Sequence, residues 1–336
     1  TPPPTYAFNP DVPGITWVDL VFPFFLFSMG AAFPFSMRKR LERGQSRWSV
    51  AGSLVKRWFI LTLFAIVLGN AYSIWSTPRP AWQVHIYMIA VWAAMFLSLV
   101  RVQNPAGSDG WKKHLGTAVN LCGIIMFVAL SFVFTRWFGL ALSKDRCDII
   151  IMILAVIAVT GGLIWMFTKD SIRLRWLIFM LVAAIKALDS YAPEALSFVP
   201  SCACVSWFFS WDWLQYLLIV LPGSIVGDMS LKHSRSGEKP QIGRNGAIAG
   251  YVALAAALVQ LWGLFTRHVT ADFIISGALA ITFFCLTWKE RNVYTGTARI
   301  GFLLLLAGII FDPIDGGITK DHCNLSYVLT TGGMAA

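Results

Sequence analysis

Apolar residues along the chain occur in long runs that are separated by short polar segments. Each run extends over roughly 20 residues, which as an α-helix crosses about 30 Å of hydrocarbon. A helix is favoured there because it satisfies its own backbone hydrogen bonds without water. The short alternating segments of membrane β-barrels do not occur. The runs therefore predict an all-α fold, a polytopic transmembrane helical bundle of about ten spans, at 16–36, 54–75, 82–100, 115–141, 149–167, 176–197, 213–230, 246–266, 272–288 and 299–312.

Both ends of the chain suggest a fragment of a longer polypeptide. The segment "TPPPTYAFNPDVPG" precedes the first span but has neither the charged start nor the apolar centre of a signal peptide. At the other end, "LSYVLTTGGMAA" has the composition of the first turns of an eleventh span. We therefore expect residues 1–336 to form a single transmembrane domain, truncated at both ends, with its first helix and last helices outside this sequence.

Charge supports a membrane location and predicts an orientation. Charged residues make up 13% of the chain and hydrophobic residues 57%, whereas soluble domains are about 25% charged. The net charge of +10 is concentrated in alternate loops, such as 38–47, 169–175 and 232–244, and basic loops stay in the cytoplasm. This sorting explains the charge without a nucleic-acid partner. It predicts an integral protein of a bacterial inner membrane, surrounded by membrane lipid, with Thr1 on the extracytoplasmic side.

Two charged residues fall within the predicted span 176–197. Lys186 lies about 15 Å from the predicted cytoplasmic start of that helix, close to the middle of the bilayer. Asp189 follows on the same helix face, so the two side chains are expected to pair. Charges at that depth are costly and mark functional sites, which makes both residues candidates for substrate binding. The alternative is that the helix ends early and that both groups lie in an external vestibule.

Polar residues at two span ends are further candidates. Asp19 opens the first apolar run, where a carboxylate stabilises a helix N-terminus. The stretch "LIVLPGSIVGDMSLK" is expected to break its helix at Pro222 and Gly223 and to place Gly227 and Asp228 at the cytoplasmic end. These two are candidates for cofactor binding, because glycine lets a ligand approach the backbone. Close helix packing explains the glycines equally well.

Histidines and cysteines give few signals of a site. His322, which adjoins Asp321, and His85 rank first as external general bases. The six cysteines contain no C-x-x-C pair, and Cys202 and Cys204 are too close for the usual zinc spacing, so no metal is expected. The sequence shows no Ser/His/Asp order, P-loop or dinucleotide fingerprint.

Several segments resemble one known family in the same order along the chain. The most specific is "WVDLVFPFFLFSMGAAFPFSMRKRLERG", residues 17–44. It resembles the second membrane segment and following basic loop of the heparan-α-glucosaminide N-acetyltransferase family, especially its uncharacterised bacterial relatives. The resemblance continues, mainly through apolar residues, in "KRWFILTLFAIVLGN", "CDIIIMILAVIAVTGGLIWMFTKD", "YLLIVLPGSIVGD" and "GGITKDHCNLSYVLTTGG".

The resemblance implies a multi-pass acyltransferase that takes an acetyl group from cytosolic acetyl-CoA and delivers it to a sugar amine or hydroxyl on the far side of the membrane. In that family the catalytic group is a histidine in the first external loop. Here that loop is cut at Thr1 and contains no histidine, so the catalytic histidine is expected upstream. With the residues above, the candidates are Asp19, Asn70, Lys320 and His322 as catalytic, Arg57, Gly227 and Asp228 as cofactor-binding, and Lys186, Asp189, Ser326 and Tyr327 as substrate-binding residues.

Two other functional classes stay open. In a transporter or flippase, Lys186 and Asp189 would form a coupling pair. A non-catalytic scaffold would fit a chain without the expected histidine. Arg57 suits a phosphate-bearing ligand, but beside Lys56 it also fits a simple positive-inside anchor. The expected partners are acetyl-CoA as acyl donor, an extracytoplasmic glycan as acceptor and membrane lipid, with no nucleic acid and with homodimer formation left open.

Overall fold

Helices account for all the regular secondary structure of the described residues. The structure is a computed structural model that describes residues 14–77, 79–100, 114–196, 207–237, 243–290, 292–320 and 323–336. Its longer helices are α1 (Trp17–Phe33), α2 (Arg47–Tyr72), α3 (Ala81–Leu99), α4 (Leu115–Phe138), α5 (Ile149–Thr168), α6 (Ile172–Tyr191), α7 (Leu217–Ser236), α8 (Arg244–Thr266), α9 (Val269–Leu286), α10 (Val293–Asp315) and α11 (Leu325–Ala335). The predicted all-α fold is confirmed.

Nine helices of the described part of the chain are long and apolar enough to cross a membrane, namely α1 to α5 and α7 to α10. The polytopic transmembrane bundle is therefore confirmed. The remaining predicted span corresponds to α6, which has the length of a span but carries Arg173, Arg175, Lys186 and Asp189. The predicted start of an eleventh span forms α11.

The first helix continues past Phe33 as a π-helical turn, Pro34–Arg38, and a short helix, Lys39–Glu42. Proline has no backbone N–H, so Pro34 cannot donate the usual α-helical hydrogen bond. Single π-helical turns are rare and occur frequently at functional sites. This turn ends at Arg38, which lines the pocket described below.

The predicted helix break at Pro222 and Gly223 is wrong, because α7 runs continuously through both residues. At these positions the helix packs closely on α1. Gly223 packs on the backbone of Phe27 and Gly227 on that of Ala31, so that α7 and α1 meet backbone to backbone. The packing interpretation of these glycines is therefore confirmed at both positions.

The chain forms two compact units. The first comprises Thr1–Gln45 and Gly161–Ala336, and its core helix is α7, since 78% of the apolar window in the span 211–236 is buried. In the same unit α10 packs closely on α11, where Gly308 of α10 meets Thr330 and Gly333 of α11 meets the Leu305 backbone. Small residues allow this approach between membrane helices.

The second unit comprises Ser46–Thr160 and contains α2, α3 and α4. Its core is aromatic, with Phe64, Tyr87, Phe127 and Phe134 all buried. Tyr87 contacts Phe134 with ring centroids 6.0 Å apart and donates a hydrogen bond to the Leu130 carbonyl at 3.2 Å. The single transmembrane domain expected from the sequence stays a prediction.

Candidate functional site

A buried ion pair joins α6 to α7 in the first unit. Arg175 is 0% exposed and Asp228 is 7% exposed, and Arg175 Nη1 lies 2.6 Å from Asp228 Oδ2. Trp165 donates its indole N–H to the same oxygen at 3.1 Å. Arg175 also donates to the Thr168 hydroxyl at 3.1 Å, the Thr168 carbonyl at 3.2 Å and the Ser224 carbonyl at 3.2 Å. Each charge is thus compensated by several hydrogen bonds, as a buried pair requires.

A basic pocket of about 340 Å³ lies beside this pair. Its four cationic side chains come from the end of the π-helical turn, the α5–α6 connection and the last turns of α7, and its residues are Arg38, Lys169, Asp170, Ile172, Asp228, Leu231, Lys232 and Arg235. Asp228 Oδ1 is buried without a hydrogen-bond donor, and Arg38 Nη1 lies 3.9 Å from it. Lys169 Nζ is paired with Asp170 Oδ2 at 3.1 Å. The pocket therefore presents cations that are partly neutralised by neighbouring acids, together with one acceptor that lacks a donor.

Glu42 pairs with two of the arginines that line the basic pocket. Its two carboxylate oxygens accept from Arg235 Nη1 at 2.6 Å and Nη2 at 2.8 Å. Arg38 Nε lies 3.6 Å from the same carboxylate. The carboxylate thus occupies the planar fork of donors with which arginine also binds phosphate.

At the other end of α1, Asp19 caps the helix and forms an ion pair. Asp19 Oδ2 accepts from the Thr16 backbone N–H at 3.0 Å and from the Thr16 hydroxyl at 2.8 Å. Its other oxygen lies 3.0 Å from Lys320 Nζ. The Tyr327 hydroxyl donates to the Asp19 carbonyl at 2.9 Å. The structure therefore brings together three predicted site residues, and Asp19 also has the helix-stabilising role that the sequence offered as an alternative.

A second buried group in the first unit surrounds Cys323. Its thiol, 4% exposed, is hydrogen-bonded with Tyr216, and the Lys186 ammonium is close enough to favour the thiolate. Burial raises the pKa of Cys323 to about 11, while Tyr216 and Lys186 act in the opposite direction. The backbone φ of Cys323 is 42°, a conformation that few non-glycine residues adopt.

The predicted pairing of Lys186 with Asp189 is wrong. Lys186 is 6% exposed and its charge favours the Cys323 thiolate, whereas Asp189 lies exposed near the end of α6 and forms no ion pair with Lys186. A spacing of three residues places two side chains near one face but does not fix their rotamers. The coupling pair of the transporter alternative is therefore not formed.

The remaining predicted residues have the following surroundings. The Ser326 hydroxyl donates to Asn324 Oδ1 at 3.0 Å, and its backbone N–H donates to Asp315 at 2.7 Å. In the second unit, Arg57 is exposed on α2. Asn70 is buried there, donating to the carbonyls of residues 66, 143 and 146 at 2.9, 2.7 and 3.1 Å and accepting from the residue 143 N–H at 3.0 Å. These bonds hold the loop between α4 and α5 against α2.

His322, Cys202 and Cys204 lie outside the described residues. His85 packs edge-on against Trp75 in the second unit, with ring centroids 5.5 Å apart. Within the described ranges, no group of three or more His, Cys, Asp or Glu residues is arranged to hold a metal ion. The catalytic, cofactor-binding and substrate-binding roles assigned from the sequence stay predictions.

Sequence reasoning missed Arg175, which it grouped with the cationic loop at the membrane surface. A local signal was present, because Ser171 caps α6 by accepting from the Leu174 N–H at 3.3 Å. A serine cap at that position starts the helix before Arg175 and carries its side chain into the bundle. Cys323 and Tyr216 were also missed, and no local pattern connects them.

We expect Cys323 to react slowly with a small alkylating reagent at pH 7 in the folded, detergent-solubilised protein, and faster as the pH approaches about 11. Lys186→Met should slow alkylation further, because it removes the charge that favours the thiolate. Mass spectrometry of the Cys323 peptide measures both rates, with Lys289→Met as control, since Lys289 is exposed between α9 and α10. Equal rates in all three proteins would contradict the placement of Lys186 beside the thiol.

Comparison with known proteins gives a family match and a shorter similarity. The profile of the family described as "Domain of unknown function (DUF5009)" matches residues 1–230. Heparan-alpha-glucosaminide N-acetyltransferase of Mus musculus is 40% identical over 57 residues, which are 17% of this chain and 9% of that protein. The Homo sapiens protein of the same name matches to the same extent. The predicted resemblance to the heparan-α-glucosaminide N-acetyltransferase family is confirmed over these 57 residues. The matched part spans less than a tenth of the length of those relatives. No solved structure gives a significant match.

Proposed function

The chain belongs to the DUF5009 family, and we propose that it is a membrane-embedded acyltransferase that moves an acetyl group from acetyl-CoA to a sugar amine or hydroxyl. The similarity to an N-acetyltransferase supports the reaction class. The basic pocket carries the proposal, because it combines the recognition groups that a nucleotide-containing acyl donor needs. The proposal includes a bacterial inner membrane, with the pocket on the cytoplasmic side and Thr1 on the opposite side.

The pocket fits the nucleotide portion of CoA in charge and hydrogen bonding. Arg38, Lys232 and Arg235 would hold the phosphate groups, since arginine and lysine are the side chains that bind phosphate most strongly. Asp228 Oδ1, which lacks a donor, would accept from a hydroxyl or amino group of the adenosine. Acetyl-CoA supplies an acetyl thioester activated toward attack by an amine or hydroxyl. The Arg175 ion pair fixes the Asp228 carboxylate in place.

Residues at the other end of α1 would serve the acceptor. Asp19 and Lys320 form an ion pair in which the carboxylate can accept a proton from the attacking amine or hydroxyl and the ammonium can hold a polar substituent of the sugar. Tyr327 fixes the backbone at Asp19 through its hydroxyl. Lys186, Ser326 and Cys323 lie in the same unit and supply further polar groups. An extracytoplasmic glycan is the proposed source of the acceptor.

Acetyl-CoA binding to the purified full chain, measured by isothermal titration calorimetry, tests the donor site. Lys232→Ala should weaken binding about 10- to 150-fold, because a charge-assisted hydrogen bond contributes about 1.5–3 kcal/mol. Lys289→Ala is the matched control, an exposed lysine outside the pocket, and should leave the affinity unchanged. No heat at millimolar acetyl-CoA, or an equal loss in both variants, would overturn the assignment of the pocket.

A further inference from the structure

A buried polar cluster lies between α8 and α9, in a part of the molecule that the proposed reaction does not use. It consists of Gln260, Asp272 and Ser276, which are 0%, 2% and 0% exposed. Both helices are membrane-spanning candidates, and their neighbouring core is formed by alanine and phenylalanine side chains. An ionisable side chain in such surroundings is costly unless its charge is paired or neutralised.

Hydrogen bonding within the cluster leaves two buried acceptor atoms without a donor. Gln260 Nε2 donates to Asp272 Oδ1 at 2.7 Å and to Ser276 Oγ at 2.5 Å. Ser276 Oγ donates to the same Asp272 oxygen at 3.3 Å. Two buried atoms remain without a partner, Asp272 Oδ2 and Gln260 Oε1. Both are acceptors, and they belong to the same two side chains that are already joined by the 2.7 Å bond.

We propose that Asp272 is a proton-binding site, in which the carboxyl group carries a proton on Oδ2 and donates it to Gln260 Oε1. The two side chains then form a two-bond pair of carboxylic acid and amide, with N–H···O in one direction and O–H···O in the other. One proton provides the missing donor for both partnerless acceptors. An unpartnered buried acceptor destabilises the folded state, so a single proton removes two such penalties.

The described part of the chain supplies no cation that neutralises Asp272 in place of a proton. Among the described residues, its carboxylate has no Lys, Arg or His nitrogen within 4.0 Å. The groups that contact it are Gln260 and Gly263 from α8 and Ser276 from α9, none of which is charged. His268, in the loop before α9, instead packs its ring on Trp262, with centroids 5.6 Å apart.

A glycine of α8 lies directly against the Asp272 carboxyl group. A Cβ atom at Gly263 would lie 2.7 Å from both Cβ and Cγ of Asp272, so glycine is what lets α8 approach the carboxyl. Asp272 is in the first turn of α9, about 5 Å along the helix axis from its start. The site is thus close to the aqueous surface at the α8–α9 loop, from which a proton can be exchanged.

Isotope-edited infrared spectroscopy of the full chain tests this site directly. With aspartate labelled by ¹³C at its carboxyl carbon, a protonated aspartic acid gives a C=O band that is separate from carboxylate and amide bands and shifts with the label. We expect such a band at pH 5 in the wild-type protein, and we expect Asp272→Asn to lack it. Gln260→Leu should move the band to higher frequency, because the carbonyl loses its N–H donor.

Two glycine variants complete the experiment and do not alter any titrating group. Gly263→Ala should shift the Asp272 band, whereas Gly277→Ala on α9, where a Cβ has nothing within 4 Å, should leave it unchanged. Absence of any protonated aspartic acid band at pH 5 in the wild-type protein overturns the proposal without any variant. A band that Asp272→Asn, Gln260→Leu and Gly263→Ala all leave unchanged overturns it as well.

Discussion

Replacing Arg175 with methionine is expected to destabilise the protein by about 3–5 kcal/mol, because it leaves Asp228 as a buried carboxylate without its cation. Trp165 alone cannot compensate for the lost guanidinium donors. The thermal unfolding midpoint in detergent, or the yield of monodisperse protein if the variant does not fold, measures the effect. Asp228→Asn should also destabilise the protein, since it leaves the buried Arg175 guanidinium without its carboxylate and with only its hydrogen bonds to Thr168 and Ser224.

Two further variants distinguish the loss of the buried ion pair from a general effect of replacing an arginine. Removing both charges, in Arg175→Met with Asp228→Leu, should recover much of the lost stability, because no unpaired buried charge remains. Arg235→Met breaks an exposed pair with Glu42 and should change the midpoint little. A loss at Arg235 as large as that at Arg175 would contradict the burial on which the prediction depends.

Substituting alanine for Gly223 should destabilise the first unit by about 1–3 kcal/mol or more, because the added Cβ would collide with the Phe27 carbonyl oxygen. That oxygen is part of the α1 backbone and cannot move aside as a flexible side chain would. Either α1 shifts away or the two helices separate. The unfolding midpoint of the detergent-solubilised variant measures the cost.

Gly250→Ala provides the matched control for Gly223→Ala. Gly250 lies in α8 and a Cβ there meets nothing within 4 Å. Alanine is the better helix former by about 1 kcal/mol, so this variant should be neutral or slightly more stable. If both variants moved the midpoint equally, the close approach of α1 and α7 would not explain the effect at Gly223.

The sequence predicted the spans well because each apolar run carries its own signal. Length and hydropathy are local properties, and they identified α1 to α5 and α7 to α10 as spanning candidates. Local rules failed where packing decides the outcome. Proline and glycine at 222 and 223 weaken an isolated helix, but in the protein the contacts of Gly223 with α1 offset that weakness.

The site was less predictable, because its residues meet across long distances in the sequence. Arg175 and Asp228 are 53 positions apart, and the Tyr327 hydroxyl reaches a carbonyl 308 positions away. Helical spacing suggested a local partner for Lys186, whereas its charge favours the thiolate of Cys323 in a distant loop. The resemblance to a family identified Asp19, Lys320 and Tyr327 as candidates in separate segments, and the structure places those three together.

Because Glu42 already accepts two hydrogen bonds from Arg235, an anion that binds this arginine has to compete with a carboxylate. An anion that binds both Nη atoms of Arg235 must displace Glu42. A monovalent anion gains little binding energy from this exchange, because it replaces the carboxylate with a group of equal charge. A polyanion that also reaches Lys232 gains a further contact there, whereas Arg38 and Lys169 are already paired with Glu42 and Asp170. We therefore expect a ligand with several phosphates to compete with Glu42 for Arg235 better than a small monovalent anion does.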